Sequence, residues 1–342
     1  MWSRCRRPAP DMGSIAMAEA RQKAQDGHTV SFRSWNPYMP RDMAEGARDR
    51  PIEAQGTLYL PAGEAPPGGW PGVVIAQGLG GPMRNREMAY GRWLAEHGHA
   101  TLVLDSYASR NIRGPETWKA LRLTTAMVLA DAFGALAYLG SRPEIDGERV
   151  AIKGYSYGGM VSQVAAFEPI RDLYQPEGGG FAAHIAYYSC SVVRMKEPET
   201  TGAPVLIMIG ERDRNVSVER TQKIAEDLRR GGSDVRLKVF DCYHQWDGDD
   251  VEPRRFGFHL RHCHVELQPD GELRVEESGR KIDGPLSRLL FLATHVSSRG
   301  YTIQKNREVT RRSNAEVLDF LDGLRRGPIS RAGQARRAGQ GR

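Results

Sequence analysis

Six short apolar runs, interleaved with segments of helical character, constrain this chain more than any other feature. They are Gly72 to Gln77 (GVVIAQ), Ala100 to Asp105 (ATLVLD), Arg149 to Tyr155 (RVAIKGY), Ala182 to Ser189 (AAHIAYYS), Pro204 to Ile209 (PVLIMI) and Val235 to Phe240 (VRLKVF). Runs that are apolar throughout, rather than at every second position, suit strands buried on both faces. The segments Arg84 to His97, Trp118 to Leu139, Gly158 to Phe167 and Val218 to Arg230 read as helices. The pattern predicts an α/β protein with a mostly parallel central sheet and helices on both faces. A strand pair, Thr29 to Trp35 and Ile52 to Leu60, precedes it, and Pro61 to Pro71 (PAGEAPPGGWP) reads as a loop. After His244 the pattern changes. Phe256 to Glu277 predicts a β-hairpin around Gln268-Pro269-Asp270-Gly271, and a final helix is expected from Ser313, where Ser313 and Glu316 form an S-x-x-E capping box. Residues 248–310 are therefore expected to be an insertion placed before the last helix.

The chain has 342 residues, 40% of them hydrophobic, enough for a sizeable core. Residues 28–326 are expected to form the folded domain, with disordered segments at 1–27 and 327–342. The net charge of +6 is matched by six arginines and no acid from Gly323 onward, so the body carries no net charge and no nucleic-acid partner is expected. No membrane partner is expected either: the most apolar stretch, Leu123 to Leu139, is short and interrupted by Asp131. Pro8, Pro10, Asp11 and Gly13 occupy the place where a secretory signal would need an apolar run. Four cysteines without CxxC spacing suggest reduced thiols, and the expectation is a cytoplasmic protein. Oligomeric state is not legible.

Gly154-Tyr155-Ser156-Tyr157-Gly158 matches G-x-S-x-G. The match gains meaning from its setting, because a predicted strand ends at Tyr155 and a predicted helix follows. Such a turn holds a serine in strained backbone with its hydroxyl exposed above the sheet. A serine hydroxyl needs a base, and the base an orienting acid. His244 follows the sixth run and Asp213 the fifth, both where strand carboxyl ends are expected. Asp247, Asp249 and Asp250 are the alternatives to Asp213. Main-chain N–H groups of Leu79, in the loop Gln77-Gly78-Leu79-Gly80-Gly81, and of Tyr157 are the candidate oxyanion donors. Arg84, Arg110 and Arg113 fall near the same ends and are candidates to bind a substrate carboxylate.

These residues resemble the α/β-hydrolase superfamily and, within it, the dienelactone hydrolase-like group. The shared features are the Ala-Gln strand end with a glycine-rich loop, Asp105-Ser106-Tyr107, the G-x-S/C-x-G-G turn, then acid and histidine. The resemblance spans roughly residues 70 to 247 plus the last helix. It implies an eight-stranded, mostly parallel sheet and hydrolysis of small esters or lactones without metal or other cofactor. Two departures stand out. The lactonase members carry a cysteine where this chain has Ser156, and a glutamate where it has Gly78, so a serine esterase with a conventional triad fits better.

Two further motifs point to other classes only weakly. Gly78-Leu79-Gly80-Gly81-Pro82-Met83 lacks the third glycine of a dinucleotide fingerprint. His259, His262, Cys263 and His264 crowd together, but two neighbours on one strand face do not make a metal site. A small-peptide hydrolase of the same fold, or a non-catalytic hydrolase-like binding protein, is the alternative to a small-molecule ester or lactone hydrolase.

Overall fold

Eight strands of the computed structural model, which describes residues 26–326, join into one sheet. In chain order they are β1 (His28–Ser34), β2 (Ile52–Tyr59), β3 (Trp70–Ala76), β4 (Ala100–Leu104), β5 (Ile145–Tyr155), β6 (Ala183–Tyr187), β7 (Val205–Gly210) and β8 (Val235–Phe240). Their spatial order is β1-β2-β4-β3-β5-β6-β7-β8. The first pair is antiparallel, β2 lies antiparallel to β4, and every pairing from β4 to β8 is parallel. Most of the apolar runs are buried as their composition predicts: Val73, Val74 and Ile75, Leu102 to Leu104, and Val205 to Ile209 are fully shielded from solvent, whereas β8 at the sheet edge is only partly buried and leaves Val239 exposed.

Helices cover both faces. They are α1 (Glu87–Glu96), α2 (Glu116–Arg122), α3 (Thr125–Gly140), α4 (Tyr157–Val164), α5 (Glu168–Tyr174), α6 (Val218–Arg230), α7 (Pro285–His295) and α8 (Arg307–Arg326). One core gathers side chains of α3, α4 and α6. The other gathers Tyr90 and Leu94 of α1 with Val317 and Phe320 of α8.

Two helix expectations are corrected. The stretch Trp118 to Leu139 is two helices, because Leu123 is extended and Thr124 caps α3, its hydroxyl accepting from Met127 N at 3.2 Å. The last helix starts at Arg307, with Asn306 Oδ1 accepting from Val309 N at 3.1 Å. Ser313 is therefore interior to the helix, where its buried hydroxyl accepts from Trp246 Nε1 at 3.1 Å and donates to Thr310 O.

The insertion carries α7 and four short strands. Val265–Leu267 and Leu273–Val275 form the hairpin around the expected turn. Arg254–Phe256, however, pairs with Tyr301–Ile303 instead of extending the hairpin. Among the described residues no helix is long and apolar enough to cross a membrane. The expectations for residues 1–27 and 327–342 lie almost wholly outside the described residues.

Candidate active site

Ser156 is the one residue between the end of β5 and the start of α4. Its φ of 51° and ψ of −105° lie where a side chain is strained, and the turn is held by three backbone bonds. Ser156 N donates to Tyr187 O at 2.9 Å, and Ser156 O accepts from Met160 N at 3.1 Å and from Cys190 N at 3.0 Å. The flanking glycines are required by space. A Cβ on Gly154 would lie 1.9 Å from Gly158 O, and one on Gly158 would lie 2.1 Å from Ala76 O.

Ser156, His244 and Asp213 stand in one hydrogen-bonded series. Ser156 Oγ is 3.1 Å from His244 Nε2, and His244 Nδ1 is 2.6 Å from Asp213 Oδ2. The carboxylate accepts only, so Nδ1 carries the proton and Nε2 is left to accept from the serine hydroxyl. Asp213 Oδ1 accepts from the backbone N–H groups of Asn215 and Val216 at 2.8 and 3.3 Å. Asp213 and His244 are fully buried and Ser156 is 7% exposed, so the series reaches solvent only at its serine end. The loops that carry the acid and the histidine pack closely because Gly210 has no side chain. A Cβ there would lie 2.4 Å from Cys242 O.

Tyr157 is the first residue of α4, and an N–H at that position has no partner within the helix. The loop after β3 lies against the same helix start, since Gly158 abuts the carbonyls of Ala76 and Gln77. Further along this loop the Leu79 carbonyl accepts from the Tyr107 hydroxyl at 2.6 Å. The carboxylate that braces this loop comes from Glu87. It accepts from Gly78 N and Met83 N, each at 3.0 Å, and pairs with Arg86 at 2.6 Å. A side chain at position 78 would fall 2.7 Å from the Arg86 guanidinium, which accounts for glycine there.

The three arginines proposed for substrate differ in their surroundings. Arg84 and Arg113 are exposed. Arg110 is engaged within the fold: its guanidinium bonds Asp131 at 2.7 and 3.0 Å and the carbonyls of Trp35 and Met127 at 2.8 and 3.2 Å. Those bonds leave it structural. His184 lies within β6, and burial pushes its pKa down to about 4, which removes it as a competing base near neutrality. Cys190 Sγ is 3.6 Å from Ser156 Oγ, but burial pushes that thiol up to about 12, so it stays protonated. Among the described residues no group of three or more His, Cys, Asp or Glu side chains is arranged to hold a metal ion.

Several neighbours of the series had no local sequence signal. Asn215 Nδ2 lies 3.4 Å from His244 Nε2, while its Oδ1 accepts from Leu260 N at 3.2 Å. The Tyr301 ring meets the His244 imidazole edge-on at 5.1 Å. Both contacts bring the insertion onto the histidine, across more than 40 residues of chain.

A parallel sheet with a serine turn after β5, an acid after β7 and a histidine after β8 defines the class: this is an α/β-hydrolase fold. Comparison with known proteins narrows it. The sequence profile of the dienelactone hydrolase family matches residues 55–252, and the chain belongs to that family. The quorum-quenching protein AidA of Acinetobacter baumannii (strain MDR-ZJ06) is 33% identical over 123 residues, 36% of this chain and 38% of that protein. The chain thus spans well under half the length of that relative. Among solved structures, Thermogutta terrifontis esterase 2 phosphoramylated by tabun aligns at TM-score 0.47 and 18% identity, over 58% of this chain and 82% of that one. A dienelactone hydrolase-like promiscuous phosphotriesterase from metagenomic libraries gives TM-score 0.47 and 18% identity, over 87% and 99%.

Proposed function

We propose that the protein is a serine hydrolase that cleaves a carboxylic ester or lactone through an acyl-enzyme. Ser156 Oγ attacks the carbonyl carbon while His244 Nε2 takes the hydroxyl proton. Asp213 holds the imidazole in the tautomer that leaves Nε2 free. His244 then gives the proton to the departing alcohol oxygen, and water activated by the same imidazole releases the acid. The N–H groups of Leu79 and Tyr157 hold the developing oxyanion, each donor contributing about 3 kcal/mol of barrier lowering. For a lactone the leaving alcohol stays tethered to the acyl group, and the chemistry is otherwise the same.

The observation that carries this reading is the continuous series from Ser156 Oγ through His244 to Asp213, buried at its acid end and open at its hydroxyl. Hydrolysis of p-nitrophenyl acetate by wild type and Ser156→Ala tests it. The variant should lose several orders of magnitude in kcat, and Asp213→Asn about 10⁴-fold. Retention of most activity in Ser156→Ala would refute the assignment. A panel of esters graded in acyl length, together with lactones graded in ring size, then identifies the substrate class.

A further inference from the structure

Asp247 lies three residues beyond His244 in the same loop, yet it is not the acid that bonds the imidazole. Its carboxylate is buried and accepts from the Tyr188 hydroxyl at 2.7 Å. Tyr188 is fully buried, and its ring packs on the His244 imidazole, centroids 4.8 Å apart at 58°. The same ring meets the Trp246 indole edge-on at 4.8 Å. Tyr188 immediately follows β6, in a segment fastened to the serine turn on both sides. Ser156 N donates to Tyr187 O and Cys190 N donates to Ser156 O, while Tyr188 N itself donates to Met208 O at 2.7 Å.

The backbone is strained at the same places. The described non-glycine residues with positive φ are Asn111, Ser156, Tyr188 and Gln245, and the last three lie on or beside this assembly. Strain of this kind persists only where surrounding contacts over-determine the conformation. Behind the carboxylate, Asp247 Oδ2 is buried without a hydrogen-bond partner. Lys153 Nζ, also buried without a hydrogen-bond partner, sits 3.6 Å from the centroids of the Tyr155 and Tyr187 rings. Burial pushes Lys153 well below its ordinary pKa and Asp247 above its own. Tyr188 thus donates a hydrogen bond to the buried Asp247 carboxylate, and the buried Arg86 guanidinium adds charge attraction that favours its ionised form.

We propose that Tyr188 and Asp247 form a positioning brace that ties the serine turn to the histidine loop and fixes the imidazole at hydrogen-bond distance from Ser156. The phenol ring sets the plane of the imidazole, and its hydroxyl anchors the loop that carries it. Tyr188 meets the imidazole only through ring packing, and its hydroxyl bonds Asp247 instead of Ser156 or His244. The proposal rests on reading Ser156, His244 and Asp213 as the reacting groups.

Tyr188→Phe keeps the ring and removes only the donor. With a p-nitrophenyl ester, kcat should fall about 10- to 100-fold with KM changed less than about threefold, the range that a misplacement near 1 Å produces. Asp247→Ala should fall as far, the double variant no further than the worse single, and Asp247→Asn, which keeps an acceptor oxygen, should recover to within about fivefold of wild type. A second readout needs no turnover: the far-downfield proton resonance of the His244–Asp213 hydrogen bond should broaden or vanish in Tyr188→Phe and persist in Asp247→Asn. Wild type without esterase activity would sink the hydrolase reading, while the resonance would still report on the brace. Tyr188→Phe with kcat within twofold of wild type and an unchanged resonance would overturn the brace. So would Asp247→Asn falling as far as Asp247→Ala.

Discussion

The side chains of Arg110 and Asp131 are 6% and 1% exposed, and the guanidinium is bonded on every side by the loop after β1 and by α3. Breaking such a pair strands a charge away from water. Arg110→Met is therefore expected to destabilise the protein by about 3–5 kcal/mol and to leave KM for an ester unchanged. Urea denaturation with steady-state kinetics checks both, and a raised KM without loss of stability would restore Arg110 as a substrate ligand. The residue scale also shows what the sequence could and could not announce. Ser156, Asp213 and His244 were legible because each follows an apolar run, and run ends are where a parallel sheet gathers its loops. The pairing of Arg110 was not legible because its partner lies 21 residues away on a helix, and charge pairing at that separation leaves no local pattern. Tyr188 and Asp247 were hidden for the same reason, being 59 residues apart.

At the scale of elements, strand existence followed from composition, whereas helix ends depended on which hydroxyl found a backbone donor. Thr124 caps α3 and divides a stretch whose apolar spacing looks continuous. Ser313 fits a capping pattern but bonds the Trp246 indole instead, a tertiary partner that outweighs the local motif. Within β6, His184 is fully buried, its Nδ1 2.9 Å from Ser162 O. Its pKa is pushed by burial from 6.5 to about 4, so the unfolded chain binds the proton more readily. The stability from keeping this ring neutral is complete above about pH 6.5 and is lost as pH falls towards 4, about 3 kcal/mol in all. His184→Asn removes that dependence. Urea midpoints measured from pH 7 to 4.5 should show wild type losing stability faster than the variant, and parallel curves would contradict the account.

Over the whole molecule, the sheet supplies one edge at which the ends of β5, β7 and β8 lie in register. Ligand sites of open parallel sheets form at that edge. The mostly parallel sheet covered on both faces was legible because buried apolar runs alternate with helical segments, whereas the spatial order of the strands was read only from the structure. The path of the insertion was not. Ile303 bridges to His244, and Tyr301 packs on the imidazole, joining segments whose short strands carry weak patterns of their own. The insertion therefore forms part of the wall around the imidazole, a placement that only tertiary contacts define. Activation of the Ser156 hydroxyl by this assembly, with its acylation, underlies every role given above. Incubation with a fluorophosphonate, followed by intact-mass and peptide mass spectrometry, tests it most directly. One adduct is expected, on Ser156, absent from Ser156→Ala and formed far more slowly in His244→Ala. Wild type that stays unlabelled, or carries the adduct on another residue, would contradict it.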